Sequence, residues 1–161
     1  MKLNHLLAAS LLTIMISCKS KKAFDYSEAI VRMEAELSAD IAEADQKLTE
    51  YLNAQKLDSA ILMSRQMEAL AESKLKEVQK MNVPEVVEGD NFKRAAIRYF
   101  SFIKSIYTSF KKFTIATTDA EKEKERKKLT RIIAEKKEIT EAMQKAQQRF
   151  AAANDFTVGE N

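Results

Sequence analysis

The fold class is decided by residues 92–113, FKRAAIRYFSFIKSIYTSFKKF. Apolar side chains recur along this stretch at intervals of three and four, the spacing of one face of an α-helix. They are Phe92, Ala95, Ala96, Tyr99, Phe102, Ile103, Ile106, Phe110 and Phe113. Asp90 precedes the stretch as a candidate N-cap. We therefore expect an amphipathic helix that begins after Asp90 and buries its aromatic face.

The same periodicity on both sides of this helix predicts three more. The chain has only one proline and two glycines, and it is rich in residues that favour helices. Three further helix starts carry capping signals, namely Asp25 with Glu28, Asp58 with Leu57 and Leu62 as a hydrophobic staple, and Thr118 with Glu121. The first predicted helix spans Tyr26–Asn53, and the last runs from Thr118 to Ala153. The segment 82–89, which holds the only proline, is the main break.

Four amphipathic helices with short connections predict an all-α fold, an antiparallel four-helix bundle in up-down-up-down order. The bundle is expected over residues 25–153, followed by a flexible tail at 154–161. Ahead of it we expect a signal peptide at 1–17 and a tether at 18–24. The signal assignment depends on Lys2, on the apolar run LLAASLLTIMI at 6–16 and on Cys18. That run is shorter than the roughly 20 residues of a membrane span and has the length of a secretory signal core.

The residues Met15-Ile16-Ser17-Cys18 resemble the lipobox of bacterial lipoproteins. The commonest form of that motif has Leu at the position of Met15 and Ala, Ser or Thr at that of Ile16. The resemblance implies cleavage before Cys18, a diacylglyceryl group on its thiol and usually an acyl group on the new amino terminus. Because Lys19 stands where an Asp favours the inner membrane, and residues 19–22 are basic, it implies an outer-membrane anchor that faces the periplasm. An ordinary signal peptide with a nearby cysteine and a buried N-terminal helix stay open as alternatives.

The processed chain offers little chemistry. Cleavage would remove the only histidine, His5, and acylation would consume the only cysteine. Catalysis by Ser-His-Asp or Cys-His groups and zinc sites with histidine ligands are then excluded. Glu36, Asp40 and Glu43 share one helix face, either as a weak site for a hard cation or as a solvated acidic face. We expect no enzymatic activity, no cofactor and no metal.

Charge is distributed unevenly along the chain. The formal net charge is only +3, which does not suggest a nucleic-acid partner. Residues 25–53 carry a net charge of −6, and residues 90–118 carry +5. Phe100 and Tyr107 flank the apolar face of the third helix, seven residues apart, with Lys104 and Lys111 beside them. If the two rings are exposed, these four residues form a candidate partner-binding patch, and if they are buried, the third helix is the central core helix.

The expected function is that of a membrane-anchored, non-enzymatic bundle that binds an unidentified envelope protein. Its resemblance to small all-helical envelope lipoproteins of unknown function assigns no site residues beyond Cys18. The alternative is a carrier or sensor that holds an apolar ligand between helices 2, 3 and 4. A pocket of roughly several hundred Å³ lined by Phe102, Ile106 and Phe110 would favour this alternative.

Overall fold

The computed structural model describes the backbone of residues 6–158 and the side chains of residues 19–158. Over this part the chain is all-helical and contains no strand. The helices are α1 (Leu6–Asn53), α2 (Leu57–Lys80), α3 (Gly89–Ile115), α4 (Asp119–Ala134) and α5 (Lys136–Ala153). The all-α prediction is therefore confirmed. The side chain of Cys18, the start of the predicted signal peptide at 1–5 and the end of the predicted tail at 159–161 lie outside the described residues.

The first helix begins earlier than the sequence predicts. α1 starts at Leu6 instead of Tyr26, so the capping box predicted at Asp25 and Glu28 is wrong. Asp25 lies inside α1, where its carboxylate accepts a 2.7 Å hydrogen bond from Lys21 one turn earlier. No glycine or proline interrupts this region. The predicted tether at 18–24 is consequently helical and continuous with the rest of α1.

The starts of α2 and α3 also differ from prediction. The residues at the N-cap positions are Lys56 and Glu88, and neither caps its helix with a side-chain hydrogen bond. Asp58 and Asp90 lie in the first turns instead, where a negative charge interacts favourably with the helix dipole. The two leucines of the predicted staple are exposed, Leu57 and Leu62.

The predicted capping box at Thr118 and Glu121 is confirmed. The Glu121 amide donates to Thr118 Oγ1 at 3.2 Å, and the Thr118 amide donates to Glu121 Oε2 at 3.2 Å. The helix that follows is divided into α4 and α5 at Glu135, whose amide donates to the Ile132 carbonyl in a tighter 3₁₀-type turn. Lys136 stands next to this turn and is exposed. The apolar track of the helix is interrupted there, because a lysine replaces the apolar side chain that would continue it.

α3 is the central helix of the molecule. It packs on α2, α4 and α5, most extensively on α2, whereas α1 packs on α2 and less extensively on α5. Glu68 of α2 pairs with Lys111 near the end of α3, and Lys93 near the start of α3 donates to the Gln79 carbonyl at the end of α2. α2 and α3 are therefore antiparallel.

α3 and α5 are antiparallel as well. The rings of Phe92 and Phe150 stack with centroids 5.3 Å apart, and Arg98 contacts Glu138 at 2.8 Å. The ring of Tyr26 in α1 lies edge-on to both phenylalanines, 6.2 Å from Phe92 and 5.9 Å from Phe150. Each such aromatic pair is worth about 0.5–1.5 kcal/mol beyond the area it buries. This aromatic cluster holds together the end of the molecule that is nearest to Cys18.

Candidate functional site

Phe100 and Tyr107, the aromatic half of the candidate patch, are buried with exposed fractions of 0 % and 2 %. The Phe100 ring packs edge-on against Tyr99 with centroids 5.4 Å apart. The Tyr107 hydroxyl donates a 3.2 Å hydrogen bond to Asp45 of α1, and burial together with this carboxylate raises the pKa of Tyr107. Both rings belong to the core because α3 is packed by helices on several sides. The exposed patch considered from the sequence is therefore not formed.

Lys104 and Lys111, the basic half of that patch, form ion pairs with α2. Lys104 pairs with Glu72, and Lys111 pairs with Glu68. Thr108 also donates to Glu68 at 2.6 Å. Burial raises the pKa of Glu68, but the hydrogen bonds from Lys111 and Thr108 and the lysine charges outweigh burial, so its pKa lies below the usual range. The two lysines thus hold α2 against α3.

An open groove has α1 on one side, α4 and the first turns of α5 on the other, and α3 as its floor. α4 packs on α3 but has no buried residue, and its packing against α1 is not extensive. Two adjoining cavities of about 350 and about 430 Å³ occupy this space. Both are lined by Asp45, Ile106, Tyr107 and Lys136. We call this space the α1–α4 groove.

The lining of the α1–α4 groove is mostly apolar. Its apolar residues are Ile41, Leu48 and Leu52 from α1, Phe102, Ile103, Ile106 and Phe110 from α3, and Leu129 and Ile133 from α4. Leu52 and Ile133 are exposed large apolar side chains at its edges. Phe102 and Ile106 line one of the two cavities, and Ile106 and Phe110 line the other. The three residues anticipated for a pocket therefore lie along the groove, but α1 forms its second wall in place of α2. The reason is that α2 packs closely along α3, whereas α4 stands away from α1.

A few polar groups interrupt this apolar surface. Asp45 and Lys136, both exposed, bring one negative and one positive charge to the two sides of the α1–α4 groove. Between them the Tyr107 hydroxyl is occupied by its hydrogen bond to Asp45. The groove therefore offers a large apolar contact area with a small number of charges that can orient an occupant.

The acidic face of α1 is largely engaged in ion pairs. Glu36 pairs with Lys74 of α2, and Glu43 pairs with Lys47 one turn further along α1. The hydrogen bond and charge of Lys74 lower the pKa of Glu36. Across the described residues, no group of three His, Cys, Asp or Glu side chains is arranged to hold a metal ion.

Cys18, the predicted lipidation site, lies on the same helix as one wall of the groove. Because an α-helix rises 1.5 Å per residue, the stretch from Ile41 to Leu52 lies about 35–50 Å from Cys18 along α1. Within residues 6–158, no helix has both the length and the apolar character that crossing a membrane requires.

Comparison of the chain with protein-family models, with curated proteins and with solved structures finds no match. The assignment of a site therefore depends on geometry and chemistry alone. Sequence reasoning missed the α1 wall of the groove, although one signal was present. α4 has only three large apolar residues, Leu129, Ile132 and Ile133, too few to cover both α3 and α1.

Proposed function

We propose that this chain is a membrane-anchored envelope lipoprotein without enzymatic activity that binds an amphipathic helix of a partner protein in the α1–α4 groove. The observation that carries the proposal is the groove itself, an open apolar channel of two adjoining cavities. The lipobox resemblance supports an acylated Cys18, with the anchor in the outer membrane and the protein facing the periplasm.

We further propose that the helices form a four-helix bundle in up-down-up-down order, with α4 and α5 together as the fourth arm. The antiparallel pairs α2–α3 and α3–α5 support this arrangement, as does the hydrogen bond between Gln147 of α5 and Ser27 of α1. In such a bundle the first and fourth arms are neighbours along their whole length. Here the fourth arm packs on α1 through the later part of α5 and departs from it at the first turns of α5 and at α4. The groove is then the unfilled part of this seam.

The shape of the groove favours a helix as its occupant. Its α1 wall, from Ser38 to Leu52, is about 20 Å long, close to four helical turns. An amphipathic helix binds such grooves with apolar side chains at positions i, i+3, i+4 and i+7. The apolar floor would take this stripe, and Asp45 and Lys136 would fix its register through complementary charges. The proposed anchor would hold the site well away from the bilayer, where a soluble or membrane-bound partner can reach it.

A pair of matched photocrosslinking sites tests this proposal. Ile133, at the groove, and Leu62, on α2, have similar exposed fractions of 52 % and 58 %. With a photoreactive residue at each position in the anchored protein, we expect one specific protein adduct from position 133 and none from position 62. Ile133→Asp should abolish co-purification of that protein, whereas Leu62→Asp should retain it.

A separate variant tests the anchor. Cys18→Ala should release the bundle from the membrane and leave its helical content unchanged.

Equal adducts from both positions, or a partner that survives Ile133→Asp, would contradict the groove as the binding site. Membrane association of Cys18→Ala that equals the wild type would contradict the anchor. These two failures are separate, because the first concerns α4 and the second concerns the N-terminal end.

A carrier of an apolar small molecule is the second candidate function. Cavities of about 350 and 430 Å³ fall within the range of small-molecule sites, about 300–1,000 Å³. Phe102, Ile106 and Phe110 lie in their walls, as this alternative requires. A lipid that co-purifies with the wild type and is lost from Ile133→Asp, in the absence of any specific protein adduct, would favour the carrier over the helix-binding module.

A further inference from the structure

Three segments meet at the end of the molecule next to Cys18. They are residues 19–24 of α1, residues 85–87 between α2 and α3, and residues 154–156 after α5, and we call them together the tether face. The Asn154 side chain donates to the Val87 carbonyl at 2.9 Å, and the Ser20 hydroxyl donates to the Asp155 carbonyl at 3.4 Å. The three segments surround an open hollow of about 570 Å³. They therefore form one continuous surface.

The tether face exposes apolar side chains. Phe24 is 42 % exposed and Val87 is 64 % exposed. The Phe24 ring packs edge-on against Phe156, whose ring in turn contacts the buried Phe150. The other large apolar side chains that are exposed in the described part of the chain belong to the opposite half of the molecule, namely Leu52, Leu57, Leu62, Ile115 and Ile133. Exposed apolar surface is thus divided between the two ends.

Basic residues lie on the α1 side of the tether face. Lys19, Lys21 and Lys22 follow Cys18 directly and are exposed, although Lys21 also pairs with Asp25. Glu85 and Asp155 lie across the hollow, so positive charge is confined to the edge that α1 provides. Such clusters of lysine are attracted to membranes that contain anionic lipids.

The tether face is rigidly joined to the rest of the molecule. Residues 18–24 continue α1 without interruption, and Ala23 is fully buried. An acyl group on Cys18 would therefore be attached to a packed helix without a flexible linker between them. The orientation of the molecule on a membrane would then follow from the direction of α1.

We infer that the tether face rests on the bilayer surface, with Phe24 and Val87 in the headgroup region and the lysines of α1 toward anionic headgroups. The inference rests on the acylation of Cys18 proposed above. Because Lys19 directly follows Cys18, the acyl chains bring this face, and no other, to the bilayer. Aromatic and aliphatic side chains beside basic ones are the composition of surfaces that bind at the membrane interface. α1 then stands away from the membrane and presents the α1–α4 groove about 35–50 Å from the anchor.

Single tryptophans test this orientation, since the chain contains no tryptophan of its own. The processed, acylated protein carrying Phe24→Trp, Val87→Trp or, as the control, Leu62→Trp is reconstituted into phosphatidylcholine–phosphatidylglycerol vesicles with brominated acyl chains. We expect blue-shifted, strongly quenched emission at positions 24 and 87 and unchanged emission at position 62. Flotation of the vesicles reports the anchor independently, and circular dichroism checks that each variant folds.

Flotation without quenching at either position 24 or position 87 would overturn the inference and leave the proposed anchor intact. Absence of flotation would overturn both. Equal quenching at position 62 would mean that the molecule lies flat on the membrane, which also contradicts the upright orientation. Quenching at 24 and 87 that is stronger with phosphatidylglycerol than with phosphatidylcholine alone would support the contribution of the lysines.

Discussion

Glu68 connects α2 to α3 through two partners, Lys111 and Thr108. Its side chain and that of Lys111 are each about one-fifth exposed, so solvent screens this contact less than the other ion pairs seen among residues 19–158. The net effect of its surroundings lowers the pKa of Glu68 below its ordinary value of 4.5. The folded carboxylate therefore binds its proton more weakly than the unfolded one. Its stabilising effect is present above pH 4.5 and is lost as the pH falls through the lowered pKa.

We predict that Glu68→Gln lowers the free energy of unfolding near neutral pH by about 1.5–3 kcal/mol, the range for hydrogen bonds that involve charged groups. Below the folded pKa, wild type and variant should differ much less. Urea denaturation followed by circular dichroism at both pH values measures this difference. Glu43→Gln is the matched control, because Glu43 is exposed and pairs with Lys47 in its own helix. A difference between Glu68→Gln and wild type that stays constant with pH would contradict the predicted role of the carboxylate.

The burial of Phe100 and Tyr107 could not be predicted from the sequence of α3 alone. Spacing by three and four identifies the apolar face of α3 but not how wide a sector the neighbouring helices cover. The Tyr107 hydroxyl in α3 donates to Asp45 in α1. This contact could not be predicted from the sequence near either residue. The ion pairs of Lys104 and Lys111 could not be predicted locally either, because their partners lie on α2. Residue type and period therefore predicted α3, and tertiary packing decided which of its side chains remain free.

Among the helices, α4 depends most on local interactions. Its capping box at Thr118 and Glu121 was predictable because both partners lie within one turn. The starts of α2 and α3 were not, because the preceding Gln55 and Glu88 adopt left-handed backbone angles, with φ of 57° and 64°, and bring the chain into the helix ahead of Asp58 and Asp90. The division between α4 and α5 at Glu135 had one sequence signal, Lys136, which stands at a position where the helical repeat expects an apolar residue.

We predict that Thr118→Ala destabilises α4 by about 1 kcal/mol, the usual cost of losing an N-cap. The loss should appear as faster amide exchange in α4 and lower helicity, with little change in α2 or α3. Thr130→Ala is the control, since Thr130 is exposed within α4 and its hydroxyl only donates back to the Arg126 carbonyl. Because alanine favours helices more than threonine does, this control should leave α4 intact or stabilise it slightly. Equal fraying in both variants would show that the cap does not determine the stability of α4.

The molecule as a whole divides into a well-packed part and an open one. The buried core is formed by the central helix α3 and by α1, α2 and α5 around it, whereas α4 contributes no fully buried residue. The sequence predicted an all-helical chain from local patterns, but it did not predict the α1–α4 groove, because a gap between two helices depends on how both are held by a third. That gap gives the molecule a long apolar channel.

We predict that backbone amides of α4 exchange with solvent much faster than those of α5, although the two helices have 16 and 18 residues and are consecutive in the chain. Local opening requires less free energy where few apolar contacts must be broken. α5 buries Ile139, Met143 and Phe150, whereas α4 has no fully buried residue and packs only Ile132 partly against the core. Hydrogen exchange followed by mass spectrometry of the full chain compares the two helices in one sample. Equal protection of α4 and α5 would contradict an open wall, whereas selective exchange in α4 would leave the groove with one rigid side, α1, and one side that an incoming helix can reposition.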